Sequence, residues 1–213
     1  MHHIAVIDYG MGNLRSVSKA LEAVSSNASV VVTSDPKTIL SASHVLFPGV
    51  GAIRDCMAEL KQLELEDVIL QAAQEKPFLG ICLGMQALLS HSEENNGVDT
   101  LNLFSGSVKL FRPDASVNGE KLKVPHMGWN QVHQTCSHPL WKNIEQNSRF
   151  YFVHSFYAEP TDKAVIAGTS AYPDDFAAAL YKDNIFAAQF HPEKSQRAGL
   201  QLLENFVNWD GQS

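Results

Sequence analysis

Three side chains in this sequence have the types and spacing of a thiol-based acyl-transfer centre: Cys82, His191 and Glu193. Cys82 lies in Gly80-Ile81-Cys82-Leu83-Gly84, with an apolar run before it and a helix-forming run after it. A nucleophile elbow has this form, because the reactive residue occupies a strained strand-to-helix turn and small neighbours let the backbone fold tightly. Such a turn exposes the sulfur at the carboxyl edge of an α/β sheet, where open sheets bind ligands. It also sets the thiol at a helix N-terminus, whose dipole favours thiolate. A small core cysteine between two glycines of ordinary turns would give the same letters, and short motifs often match by accident. His191-Pro192-Glu193 tips the balance. A thiol nucleophile needs a base, and the base needs a third group to hold its tautomer. In an extended segment residues i and i+2 face the same way, so Glu193 can reach the imidazole of His191. Pro192 favours that extended shape in the residue before it. Without Cys82, the same three residues would read as a surface turn with a solvated carboxylate.

Phe47-Pro48-Gly49-Val50-Gly51 offers the electrostatic part of such a centre. A glycine-rich turn after a strand can aim the N–H groups of Val50 and Gly51 at an oxyanion, and the N–H of Leu83 after the nucleophile can supply another. Taken alone, the segment is more often a tight turn before a helix.

The elements around these residues must deliver them to one place. Short apolar or β-branched runs at 3–8, 29–33, 44–47 and 77–81 read as strands. Between them Leu14, Val17, Leu21 and Val24 recur at helical spacing, with Asn13 placed as an N-cap. Residues 63–73 and 83–89 also read as helices. This βαβ rhythm predicts an α/β fold, an open, mixed but largely parallel, doubly wound (flavodoxin-like) sheet with helices on both faces. The second half is richer in strands, expected at 108–111, 124–132, 150–154, 164–169, 178–182 and 185–190. Leu200, Leu203, Phe206 and Val207 form one stripe of a closing helix of roughly 13–15 residues. Residues 90–100 read as a polar connection. No repeat or linker divides the chain, so residues 1–213 are expected to form a single domain.

Composition removes several classes of function. The 213 residues are 45% hydrophobic, enough for a buried core, and Lys+Arg 16 against Asp+Glu 23 gives 16 − 23 = −7. That charge suits neither a phosphate backbone nor an anionic membrane, and no basic stripe alternates with aromatics. No apolar run approaches the ~20 residues of a membrane helix, and residues 1–8 lack the parts of a signal peptide. Three widely spaced cysteines (Cys56, Cys82 and Cys136) suit a reducing, cytoplasmic setting. None of the nine histidines shows a metal-ligand spacing, so neither metal nor cofactor is expected. Gly10-Met11-Gly12-Asn13-Leu14-Arg15 is not a dinucleotide site either, since Arg15 fills the slot that needs a small residue.

The segments PGVG (48–51), GICLGMQ (80–86) and HPEKS (191–195) together resemble the triad-type (class I) glutamine amidotransferases. The resemblance implies that Cys82 attacks the side-chain amide of glutamine to form a γ-glutamyl thioester. His191 would then act as base and acid, with Glu193 orienting it. It places the substrate against Gly49, Gln86 and the segment YFVHSF, which contributes Tyr151, His154, Ser155 and Phe156. For His154 the choice between pocket and interface stays open. DYGMGNLRSV (8–17) and PHMGWN (125–130) are similar to a member whose ammonia goes to a separate (β/α)8 cyclase chain in a heterodimer. Such a barrel takes about 250 residues and does not fit in this chain. Residues matching Asn13, Trp129 and Lys194 would face that partner, although as bare residues they are equally a cap, a core aromatic and a solvated charge. Three other readings are a glutaminase serving another acceptor synthase (pyridoxal phosphate, anthranilate or guanylate), a cysteine hydrolase on a related scaffold, and a non-catalytic subunit.

Overall fold

The structure is a computed structural model that describes residues 2–25, 27–112, 116–117, 120–121 and 123–212. The first half alternates strand and helix. Its elements are β1 (His2–Ile7), α1 (Leu14–Val24), β2 (Ala28–Thr33), α2 (Pro36–Ser41), β3 (His44–Gly49), α3 (Ile53–Gln62), α4 (Glu66–Glu75), β4 (Phe78–Cys82) and the one-turn α5 (Leu83–Gln86). The second half is strand-rich: β5 (His91–Ser92), β6 (Val98–Asp99), β7 (Gly106–Leu110), β8 (Ser116–Val117), β9 (Glu120–Lys121), β10 (His126–Gln131) and β11 (His133–Gln134). It continues through β12 (Arg149–His154), β13 (Phe156–Pro160), β14 (Ile166–Ala171), β15 (Asp175–Lys182) and β16 (Ile185–Ala188), and closes with α6 (Gln196–Val207).

The main sheet runs β2-β1-β3-β4-β16-β15-β13-β7-β5-β6. β2, β1, β3, β4 and β16 are mutually parallel, and β15 turns the sheet antiparallel. The parallel strands are covered on both faces, as their nearly continuous apolar runs require. In β1, Ile4 and Val6 enter the core beneath α1 and α6, while Ala5 and Ile7 enter the opposite core with α2, α3 and α4. The period of two along a strand sends successive side chains to different cores. β10 and β12 pair separately as a two-stranded antiparallel sheet.

The open, mixed α/β sheet expected from the sequence is the fold observed, with several boundaries moved. The helix placed at 63–73 is α4, starting at Glu66. A further helix, α3, precedes it, and Glu64 at φ 55° breaks the two apart. Ile53, Cys56 and Leu60 carried the missed signal, since they are the buried positions of α3. α2 was also missed; it is short, with Pro36 in its first turn and Asp35 accepting the Thr38 N–H. Asn13 stands at the N-cap of α1 but its side chain makes no capping hydrogen bond. α5 ends at Gln86 rather than continuing to residue 89, so the helix behind Cys82 is a single turn. The strand expected through Phe190 ends at Ala188. The polar connection at 90–100 includes the small β5–β6 pair.

Candidate active site

Three adjacent parallel strands end at one place. Register pairs Gly49 of β3 with Cys82 of β4, and Ala188 of β16 with Ile81 of β4. The PGVG turn, the Cys82 turn and the His191 turn therefore meet at the carboxyl edge of the sheet. Cys82 has φ 55° and ψ −108°, a conformation that residues with a Cβ rarely adopt and that costs about 1–3 kcal/mol. What holds it there is the close fit behind it. A Cβ on Gly84 would lie 2.0 Å from the Phe47 carbonyl oxygen, and one on Gly49 would lie 2.7 Å from both Leu83 Cβ and Tyr9 Oη. β3 and the turn after Cys82 can approach this closely only because both positions are glycine.

His191 is fixed by hydrogen bonds instead. Its Nδ1–H donates to Glu193 Oε1 at 2.9 Å, and the two side chains are 2% and 0% exposed. The backbone is strapped to β12: His191 N–H donates to Tyr151 O at 2.9 Å, and Ser195 Oγ–H donates to His191 O at 2.6 Å while accepting from Tyr151 N–H at 2.9 Å. Because Nδ1 carries the proton facing the carboxylate, Nε2 is the free nitrogen, and it is buried without a hydrogen-bond partner. Burial works against charge on the ring, but a Cys82 thiolate and Glu193 outweigh it and raise the pKa to about 10, so a proton that leaves the thiol is held on Nε2 beside the ionised sulfur.

A cavity of about 320 Å³ opens between these turns, lined on one side by Val50, Gly51, Cys82, Leu83 and Gln86 and on the other by His154, Ser155, Phe156, His191 and Lys194. That is at the small end for ligand pockets, roughly 300–1,000 Å³, and suits an amino acid. The N–H groups of Val50 and Gly51 have no hydrogen-bond partner among the described residues. Gly49 and Tyr151, both expected at the substrate, do not line the cavity. Gly49 is packed against Leu83 and Tyr9, while the Tyr151 ring sits 6.0 Å from Trp129 with the Lys194 ammonium 6.0 Å above it. Trp129 and Lys194 thus share a surface, whereas Asn13 only closes the first turn of α1 through its carbonyl.

The cavity also recruits residues that the sequence reading did not single out. Glu94 lines it, its Oε2 accepting the Ile53 N–H at 3.1 Å. Tyr9, fully buried, donates from Oη to Pro48 O at 3.0 Å and so clamps the PGVG turn from beneath. Gln189 Nε2 faces Cys82 Sγ at 3.8 Å. His154 belongs to the cavity and to a buried neutral chain behind it. Its Nδ1–H donates to Phe156 O at 2.7 Å, so its Nε2 accepts from His126 Nδ1–H at 3.0 Å. Burial holds His154 at about 3 and His126 at about 4, both well below an ordinary histidine. Apart from the local His154–Phe156 bond, these contacts join residues distant in the chain, so no sequence spacing marks them. Among the described residues there is no group of three or more His, Cys, Asp or Glu side chains able to hold a metal, and no helix long and apolar enough to cross a membrane.

Comparison with known proteins places the chain in a family. Residues 5–209 match the family model of the class-I glutamine amidotransferases. The imidazole glycerol phosphate synthase subunit HisH of Methylococcus capsulatus is 59% identical over 99% of this chain and 98% of its own length. That of Nitrosococcus oceani is 59% identical over the full length of both. Among solved structures, PurLQS of Thermotoga maritima superposes with a TM-score of 0.74 at 18% identity, covering 98% of this chain and 99% of that one. A glutamine amidotransferase of the same organism gives 0.60 at 19% identity, covering 92% and 78%. Matched across almost its whole length, the chain belongs to the class-I glutamine amidotransferase family.

Proposed function

We propose that this chain is the glutaminase subunit of an imidazole glycerol phosphate synthase, with Cys82, His191 and Glu193 as its catalytic residues. The observation that carries the reading is the buried, unpartnered Nε2 of His191, whose other nitrogen is tied to Glu193, at the same cavity that a strained Cys82 lines. Glutamine enters with its side-chain amide at Cys82. The thiol proton passes to His191 Nε2 and the sulfur bonds to the amide carbon. The carbonyl oxygen becomes an oxyanion received by the N–H groups of Val50 or Gly51 and of Leu83, donors worth about 2.7–4 kcal/mol each in such sites. His191 returns the proton to the leaving nitrogen, the oxyanion collapses with cleavage of the carbon–nitrogen bond, and ammonia departs to leave a thioester on Cys82. Water, deprotonated by His191, then attacks the thioester; glutamate leaves and the thiol regains its proton. Gln86 and Glu94 line the cavity where the substrate's amino-acid end lies, and the Glu94 carboxylate suits its cationic amino group.

The 59% identical relatives named as subunits of imidazole glycerol phosphate synthase support a second chain as the ammonia acceptor. A (β/α)8 cyclase of histidine biosynthesis, forming a heterodimer in the cytoplasm, fits this role. Met127 (64% exposed), Trp129 (37%) and Val50 (36%) are the apolar groups we assign to its docking face, with Lys194 beside them. The test is twofold. A glutamine-analogue electrophile should label Cys82, and the rate of glutamine hydrolysis should rise roughly 10²–10³-fold when cyclase and its nucleotide ligand are added, the effect of completing one oxyanion donor. The gene should also restore growth of a histidine auxotroph lacking this subunit. No labelling of Cys82 would end the catalytic assignment, and failure to restore growth would move the protein to a different acceptor synthase.

A further inference from the structure

The amide chain that ends at the Cys82 sulfur has one possible polarity. Phe156 O is a carbonyl and only accepts, so the end of Gln86 lying 3.0 Å from it is Nε2–H. The same Nε2 lies 2.9 Å from the Gln189 side chain, whose facing atom must then be Oε1. That leaves Gln189 Nε2–H aimed at Cys82 Sγ, 3.8 Å away, within reach for the larger sulfur atom. Turning Gln86 over would bring its oxygen against two others in a dry site, and turning Gln189 over would set two N–H donors against each other. Turning over Gln189 would also aim a carbonyl dipole at the sulfur. Gln189 is 0% exposed and Gln86 4%, so water cannot relieve either arrangement. The backbone of Gln189 is held as well, its N–H donating to Ala178 O at 2.9 Å.

We propose that Gln189 is a positioning residue for the nucleophile, its side-chain N–H orienting the Cys82 sulfur and favouring the thiolate once the proton has moved to His191 Nε2. The proposal rests on Cys82 being the nucleophile. A donor gains strength when its acceptor becomes charged, so the contact is weak to the thiol and stronger to the thiolate. Gln86 then has two roles that use different atoms. Its Nε2–H sets the polarity of Gln189, and its Oε1, which has no partner among the described residues, stays free for substrate.

The test compares the wild-type chain with Gln189→Met, which keeps an unbranched side chain of similar size and removes the donor without adding charge. Other titratable groups facing the sulfur or its cavity are His191, Tyr9, His154, Glu94 and Lys194, and the substitution alters none of them. The readouts are the pH dependence of Cys82 alkylation by iodoacetamide and the steady-state kinetics of glutamine hydrolysis. The alkylation midpoint should rise by about one pH unit, as expected for losing one hydrogen bond to a charged acceptor. With it, kcat should fall about 10-fold while KM stays within about threefold. An unchanged midpoint overturns the proposal even if kcat falls, because loss of packing alone slows turnover without moving the titration. Should Gln189→Met fail to melt cooperatively, Gln189→Glu takes its place. It keeps the bond from Gln86 and presents a carboxylate oxygen to the sulfur, so its midpoint must rise by more than one unit or the proposal falls. If wild-type Cys82 is itself unreactive and glutamine is not hydrolysed, the proposed function fails first, an outcome distinct from an unshifted variant.

Discussion

The elbow at Cys82 and the turn at His191 lie at the ends of neighbouring strands, and they hold their side chains by different means. Cys82 is held by its backbone, at φ 55°, with Gly84 pressed against the Phe47 carbonyl so tightly that a Cβ would come within 2.0 Å. His191 has an unremarkable extended backbone, φ −100° and ψ 99°, and is held by bonds to Glu193, Tyr151 and Ser195. The nucleophile proposed at Cys82 needs a fixed exit angle from the sheet, which sterics supply. The base proposed at His191 must accept and release a proton without moving far, which an ordinary backbone with a hydrogen-bonded ring allows. Damage to the elbow should therefore act through shape and stability, and damage to the base turn through chemistry.

The largest expected effect removes the sulfur. Cys82→Ala should abolish glutamine hydrolysis, whereas Cys56→Ala and Cys136→Ser should keep most of it; full activity in Cys82→Ala would show that the elbow holds no nucleophile. The strain itself can be read separately, since Cys82→Gly should be equally inactive yet about 1 kcal/mol more stable than Cys82→Ala in denaturant melts, glycine tolerating φ 55° freely. Next in size is Gly84→Ala. Adding one methyl where there is no room should cost about 3 kcal/mol or more of folding stability and pull β3 away from the elbow. Near-native stability would mean that the elbow is softer than its contacts imply.

The base turn should respond in the opposite sense. Glu193→Gln keeps the shape and the bond to Nδ1 but loses the charge that stabilises the imidazolium. Turnover should fall on the order of 10-fold or more with the melting temperature nearly unchanged. A variant that unfolds instead would make Glu193 a structural group. The smallest effect lies in pH. The folded-state pKa of His191 is raised from 6.5 to about 10. The stabilisation it brings is complete below about pH 6.5 and is lost as the pH climbs to about 10. Cys82→Ala removes one of the two groups that raise it. The difference in melting temperature between wild type and Cys82→Ala should therefore shrink between pH 7 and 10, and a constant difference would contradict the coupling of Cys82 to His191.

Residue type and local spacing by themselves determine much of this protein. GICLG between an apolar run and a helical one pointed to a strand-to-helix turn, and the structure forms one at Cys82, with glycine at 84 where a Cβ would have no room. HPE placed a carboxylate within reach of an imidazole, but not through the extended chain expected: only His191 is extended, and Pro192–Lys194 form a 3-10 turn that brings Glu193 back to Nδ1. The alternation of Ile4 and Val6 with Ala5 and Ile7 required a strand buried on both faces. Tertiary structure alone decided what surrounds those groups. The register of β4 against β16 brings His191 to Cys82, and the packing of distant segments puts Glu94 at the cavity and Tyr151 outside it. It also turns Gln189 into a donor to sulfur by way of Gln86 and the Phe156 carbonyl. Local sequence fixes backbone geometry over a few residues, whereas these contacts join strands far apart in the chain. Their geometry exists only once the sheet has paired and the two cores have closed.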